Sequence, residues 1–207
     1  MTILLADDHP VVREGLKKFV GSLDVNLAIE EATNGVEAWE MIKVRRYDLA
    51  ILDVSMPGLS GLELLKKIKD NNLSSKVLIL SVHPQEQYAI RAIKLGASGY
   101  LSKDSAFDEL KIAINKILSG GRYVSEAFAE NIIFKGSDTL QRHEQLSHRE
   151  FEIMIMLARG KSVTEISNDI FLSRNTVNTY RTRILTKMHM KKNAEIIAYA
   201  LKNNLIY

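Results

Sequence analysis

Asp7, Asp8, Asp53, Ser81 and Lys103 each stand just past a short apolar run of the chain. The runs, Thr2 to Ala6, Leu49 to Leu52, Lys76 to Leu80 and Gly99 to Leu101, are too short for helices and read as β-strands. In an open parallel sheet, ligands bind at the carboxyl ends of the strands, near the point where strand order reverses. Three carboxylates, a hydroxyl and an ammonium would meet there. Carboxylates gathered in one shallow crevice repel one another unless a hard cation bridges them, and Mg2+ with its oxygen ligands suits such a site. Asp53 is then a carboxylate nucleophile able to form an acyl phosphate. Mg2+ and Lys103 would place positive charge on the phosphoryl oxygens, and Ser81 would hydrogen-bond one of them. Each residue alone has an ordinary reading: Asp8 before His9 and Pro10 as a helix cap, Asp53 as the start of a turn through Pro57 and Gly58, Lys103 as a surface lysine. Their recurrence at successive strand ends is what selects the phosphoryl site.

The elements that must hold these residues follow from periodicity. Strand-like segments near residues 2–6, 27–32, 49–53, 76–81 and 99–101 alternate with helical ones near 9–21, 35–45, 60–71, 85–95 and 106–119. Five such units predict an α/β, doubly wound, five-stranded parallel sheet covered on both faces. Gly120 and Gly121 punctuate the last helix, and residues 123–145 read as a linker that includes a short helical stretch, SEAFAENIIF, and the polar GSDTLQRHEQ. Beyond Leu146 no strand signal remains; four helices are predicted near 148–159, 163–170, 174–188 and 193–203. The expected organisation is a domain over 1–122, a linker over 123–145 and an all-α domain over 146–207.

Composition is that of ordinary globular protein, with 46% hydrophobic and 26% charged residues. No apolar run approaches the roughly 18 residues that span a bilayer, and the N-terminus enters a strand without a signal-peptide pattern. The absence of cysteine excludes disulfides, thiolate metal sites and cysteine nucleophiles, and fits a cytoplasmic protein. Charge is uneven: residues 1–122 hold 16 basic and 16 acidic side chains, 123–146 hold 2 and 4, and 147–207 hold 10 and 5. A basic excess of this kind suits a phosphate backbone, with a solvated basic face as the alternative.

LLADDHPVVREGL, DLAILDVSMPGLSGLELL, LILSVH and GASGYLSKD, in that order, resemble the receiver domain of bacterial two-component response regulators over about residues 1–120. The resemblance implies a flavodoxin-like fold and assigns Asp53 as acceptor of a phosphoryl group from a histidine kinase. It implies Mg2+ held directly by Asp8, Asp53 and the backbone carbonyl of Ser55, with Asp7 acting largely through water. Ser81 matches the switch hydroxyl, Tyr100 the switch aromatic and Lys103 the invariant lysine. On phosphorylation Ser81 would move toward the acceptor and Tyr100 would turn inward. His83, two residues after Ser81, falls where family members tune the lifetime of the acyl phosphate.

LSHREFEIMIMLARGKSVTEISNDIFLSRNTVNTYRTRILTKM resembles the LuxR-type helix-turn-helix, matching at Glu150, Gly160, Glu165, Ile166, Ser173, Thr176, Val177 and Leu185. Together the two resemblances imply the NarL/FixJ class. Asn175 and Asn178 depart from the lysines common there, and Tyr180 from histidine. Ser173 is a suitable N-cap for a helix from Arg174, whose apolar face carries Val177, Ile184, Leu185 and Met188. Asn175, Asn178, Thr179, Thr182 and Thr186 share the opposite face and can meet a major groove together, with Thr176 beside them in the first turn. Asn can pair with adenine, and a Thr methyl can touch thymine. Arg174, Arg181, Arg183 and Lys187 flank this stripe and suit phosphates. Phe151, Met154, Met156 and Leu157 read as core, and His9, His143, His148 and His189 show no metal-ligand spacing.

The expected function is a cytoplasmic, non-enzymatic response regulator that is phosphorylated on Asp53. It would bind promoter DNA as a homodimer and act on transcription, with RNA polymerase as a further partner; its only turnover is loss of its own phosphoryl group. A hydrolase of the haloacid dehalogenase type would need a second acid two residues after the nucleophile, where this chain has Ser55. A receiver acting through protein contacts alone would show no salt-dependent binding to promoter fragments.

Overall fold

A computed structural model describes residues 1–23, 27–81, 85–104, 107–125, 142–203 and 205–206. The chain divides into two units, Met1–Gly136 and Ser137–Tyr207.

In the first unit the apolar runs form strands β1 (Thr2–Ala6), β2 (Ala28–Ala32), β3 (Leu49–Asp53), β4 (Lys76–Ser81) and β5 (Gly99–Ser102). All neighbours pair in parallel, in the order β2-β1-β3-β4-β5. Between them run α1 (Pro10–Gly21), α2 (Gly35–Val44), α3 (Gly61–Asp70), α4 (Gln85–Lys94) and, after β5, α5 (Phe107–Leu118). Alternate strand residues Ile3, Leu5, Leu49, Ile51, Leu78, Leu80 and Leu101 pack on Leu16 and Val20 of α1 and on Leu110, Ala113, Ile114 and Ile117 of α5. The intervening residues Leu4, Ala50, Leu52, Val77 and Ile79 are equally buried, and α2, α3 and α4 contact that sheet from their own strands. Burial on both faces is why the strands read as unbroken apolar runs.

Register then determines what meets at the carboxyl edge. Ala6 pairs with Leu52, so Asp7 and Asp53 follow side by side; Asp53 pairs with Leu80, and Ser81 with Ser102, just before Lys103. Strand order reverses between β1 and β3, which is where this edge lies. Gly61 allows α3 to start against the acceptor's own backbone: its N–H donates to the Val54 carbonyl at 3.1 Å, and a Cβ there would stand 2.2 Å from the Asp53 carbonyl oxygen.

Tyr123, placed by the sequence at the start of the linker, instead pairs in parallel with Gly99 on the open side of β5. Its N–H donates to Ser98 O at 2.9 Å, its carbonyl accepts from Tyr100 N at 3.2 Å, and its hydroxyl bonds Glu109 at 3.0 Å. The edge strand has unpaired backbone groups that one more extended residue satisfies. The helical stretch expected from residue 125 lies almost wholly outside the described residues.

The first described element of the second unit is a 3-10 turn, Arg142–Gln145, also within the stretch read as linker. His143 is buried there, with Nδ1 2.9 Å from the Tyr199 hydroxyl and its ring against Phe151. Then follow α6 (His148–Ala158), α7 (Val163–Asp169), α8 (Arg174–Lys187) and α9 (Asn193–Lys202). Ser147 and Ser162 open α6 and α7 with capping boxes to Glu150 and Glu165, and Ser173 caps α8 by accepting from Thr176 N at 3.1 Å. Phe151, Met154 and Leu157 are buried as expected, and Met156 is half-buried.

Candidate functional site

The ends of β1, β3 and β5 bring Asp7, Asp53 and Lys103 together. Lys103 Nζ lies 2.7 Å from Asp7 Oδ2 and 2.7 Å from Asp53 Oδ2, and both carboxylates are almost wholly buried. Ligand atoms of Asp7, Asp8, His9 and Asp53 all lie within 4.8 Å of one another. Asp7 Oδ1 accepts from His9 N at 2.9 Å, the Asp7 carbonyl accepts from Arg13 Nη1 at 2.7 Å, and Ser55 N donates to Asp53 Oδ1 at 3.3 Å. Asp7 Oδ2 and Asp8 Oδ1 are buried yet receive no aligned hydrogen bond; a Lys103 or His9 nitrogen merely sits beside each. One ammonium against three carboxylates leaves negative charge uncompensated, so the oxygen-rich pocket can hold a metal ion and suits a hard divalent one.

Titration reflects this crowding. Burial pushes the Asp53 carboxyl up to about 6; Lys103 pulls against that and Asp7 adds to it. Burial disfavours the Lys103 charge, but Asp53 and Asp7 outweigh burial and hold the ammonium above its usual value. Ser81 is fully buried and hydrogen-bonds the Tyr100 side chain, whose hydroxyl burial pushes up to about 12. The Tyr100 ring is already inside, packed at 3% exposure. That is the side on which the resemblance places the ring once Asp53 is phosphorylated. His83 lies outside the described residues.

In the second unit α8 rests Val177, Ile184 and Met188 in the core, with Leu185 half-buried. Asn175, Asn178, Thr179, Thr182 and Thr186 are all exposed, as are Arg174 and Arg183, while Thr176 is half-buried against the Ser173 cap. Thr179, Thr182 and Thr186 donate their hydroxyls to carbonyls one turn back, at 2.9, 3.1 and 3.0 Å. Their outward offering is thus methyl groups and oxygen lone pairs. Two of the expected phosphate contacts are differently employed. Lys187 Nζ bonds Glu150 Oε2 at 2.7 Å and Arg181 Nε bonds Asn193 Oδ1 at 2.7 Å, which ties α8 to α6 and α9. The sequence reading also missed the buried Arg149–Glu152 pair at 2.7 Å, whose guanidinium reaches the Ile170 carbonyl at 2.9 Å and holds the end of α7. The spacing of three residues on one helix was its only sequence signal.

The response regulator receiver domain family matches residues 3–115, and the LuxR family of bacterial regulatory proteins matches residues 144–200. The response regulator UvrY of Escherichia coli K12 is 33% identical over 208 residues, covering 99% of this chain and 95% of the relative. The chain belongs to the two-component response regulators of the NarL/FixJ class. Among solved structures, the response regulator ChrA of a heme-sensing two-component system is 30% identical, with 99% of this chain and 98% of that one covered and a TM-score of 0.53. RcsB of Salmonella enterica serovar Typhimurium, bound to the promoter rprA with the phosphomimetic BeF3-, shares the fold at 24% identity and a TM-score of 0.63, covering 96% and 98%.

The raised Asp53 pKa has a stability consequence for this response regulator. A carboxyl that binds its proton more tightly when folded favours the fold at low pH, and that contribution is lost as pH rises from about 4 to about 6. In chelator, Asp53→Asn protein is therefore expected to be more stable than wild type at pH 7, by up to about 3 kcal/mol, with the gap closing toward pH 4. Urea unfolding across that range checks it; a gap that widens on acidification contradicts the burial of a charged Asp53.

Proposed function

We propose that this response regulator is a phosphorylation-controlled transcription factor in which Asp53 accepts a phosphoryl group from the phosphohistidine of a sensor kinase. The observation that supports the acceptor most directly is Lys103 Nζ at 2.7 Å from both Asp53 and Asp7, at the edge where the acidic residues converge. An Asp53 oxygen bonds to phosphorus as the bond from phosphorus to the donor nitrogen breaks, and that nitrogen keeps the electron pair. Mg2+ would be held by Asp8, Asp53 and the Ser55 carbonyl, with Asp7 behind them, and supplies positive charge to the phosphoryl oxygens. Lys103 balances the same oxygens from the other side, and Ser81 donates to one of them. Hydrolysis of this acyl phosphate is the only turnover we assign.

Residues 1–122 are the receiver in this reading, 123–145 the linker and 146–207 the DNA-binding domain. The exposed stripe of α8 enters a major groove, with Asn175, Asn178, Thr179 and Thr182 toward the bases and Arg174, Thr176 and Arg183 toward the backbone. The promoter complex of RcsB supports DNA as the target. A module of this size makes a small interface, so two copies on half-sites about one helical turn apart are expected, with phosphorylation driving dimerisation and RNA polymerase as the downstream partner. Such a protein works in the cytoplasm; no helix among the described residues is long and apolar enough to cross a membrane.

Ser81 bonds the Tyr100 side chain and lies one strand from Asp53, so we take the Ser81–Tyr100 pair as the element that reads phosphorylation. Titration of promoter fragments with and without acetyl phosphate tests the scheme. Wild type should gain affinity on phosphorylation, and Ser81→Ala should accept phosphate yet gain less. A full gain in Ser81→Ala removes Ser81 from the coupling, and salt-insensitive or absent DNA binding favours a module that docks on protein.

A further inference from the structure

We propose that His9 is a fourth protein ligand of the acidic pocket, and that it makes the site take first-row transition ions such as Co2+ and Mn2+ through nitrogen as well as oxygen. This rests on the reading of the pocket as the ion site and names a residue outside that reading's ligand set.

His9 ends β1's loop and opens α1, but its side chain makes no capping hydrogen bond there; Pro10 at the first helical position needs none. The imidazole instead turns back over the acids. Its Nδ1 lies 2.9 Å from Asp8 Oδ1 and 3.4 Å from Asp7 Oδ1, while about two thirds of the side chain stays open to solvent. Two neighbouring ligands on an octahedral ion with bonds of about 2.1 Å stand about 3.0 Å apart, and two opposite ones about 4.2 Å. The His9–Asp8 separation is that of neighbours, and the whole set of Asp7, Asp8, His9 and Asp53 lies within 4.8 Å. Asp8 Oδ1, buried and without an aligned donor, is the oxygen His9 accompanies. One ion can touch both atoms without either side chain leaving its place. Mg2+ keeps oxygen and water around it, so the imidazole is indifferent to it; Co2+ and Mn2+ accept imidazole nitrogen alongside carboxylates.

The test is calorimetric titration of the full-length chain with MgCl2 and with CoCl2, for wild type, His9→Gln and Asp8→Asn, together with pulsed electron paramagnetic resonance of the Mn2+-loaded forms. His9→Gln is expected to weaken Co2+ by at least about tenfold while leaving Mg2+ within about twofold, and to abolish the nitrogen modulation seen with bound Mn2+ in wild type. Asp8→Asn should weaken both metals. Equal Co2+ affinity in wild type and His9→Gln, or Mn2+ bound without nitrogen modulation, overturns the assignment of His9. Loss of Mg2+ in His9→Gln overturns it as well, since His9 would then be shaping the oxygen ligands. Failure of wild type to bind any of the ions is a different result: it removes the ion site itself and with it the phosphoryl reading.

Discussion

Asp53→Asn protein incubated with acetyl phosphate is expected to stay at its unmodified mass, while wild type gains one phosphoryl group. The three buried or half-buried acids are not equivalent as nucleophiles. Asp7 has one oxygen accepting from His9 N and the other against Lys103, so both of its oxygens are already engaged. Asp8 has the His9 ring beside it at 2.9 Å and, among the described residues, no lysine or arginine in ion-pair contact. Asp53 combines an oxygen beside the Lys103 ammonium with a neighbouring backbone N–H from Ser55 and the buried Ser81 hydroxyl one strand away. Removing the nucleophile from such a set typically costs more than about a thousandfold. Excess chelator should produce a loss of the same kind, because one lysine cannot neutralise three carboxylates and an incoming phosphoryl group together. Mass spectrometry of the intact protein decides both. Label that persists in Asp53→Asn would mean the acceptor is elsewhere; label that persists in chelator would leave the acidic pocket without its cation.

What the sequence made legible here was placement, and what it concealed was partnership. Apolar runs buried on both faces carry no alternation, so their ends were easy to locate, and every residue at those ends stands at the carboxyl edge of the sheet. The helices were legible because amphipathic spacing and serine caps are local signals. Tyr123 was not, because its reason for being extended is the open edge of β5, which lies more than twenty positions upstream. The burial of His143 depends in the same way on Tyr199. Lys187 and Arg181 looked like phosphate contacts because a basic side chain on an exposed helix reads the same whether or not an acid from another helix meets it.

The engagement of Lys187 changes what mutation of the recognition helix should show. On an unpaired basic face, Arg183→Ala and Lys187→Ala would weaken binding to all sequences alike and flatten the salt dependence. Arg183 stays exposed, its guanidinium over the Tyr180 ring, and should behave that way, lowering the salt slope by roughly one phosphate contact. Lys187 instead holds the buried carboxylate of Glu150. Burial pushes that carboxyl up, but Lys187 and the Ser147 cap outweigh it and keep it below its usual value. Lys187→Ala should therefore lower the melting temperature of the domain as well as its DNA affinity, because Glu150 loses the cation that compensates its burial. Asn178→Ala and Thr179→Ala, whose side chains are exposed and tied at most to their own helix by the Thr179 hydroxyl, should leave stability almost unchanged and alter which bases are preferred, by roughly 1 to 3 kcal/mol at each contacted position. Titrations on a specific site and on scrambled DNA at several salt concentrations, beside thermal melts of each variant, separate the three behaviours. Uniform weakening from Asn178 and Thr179, with altered base preference from Arg183, would mean that α8 presents a different face to the groove.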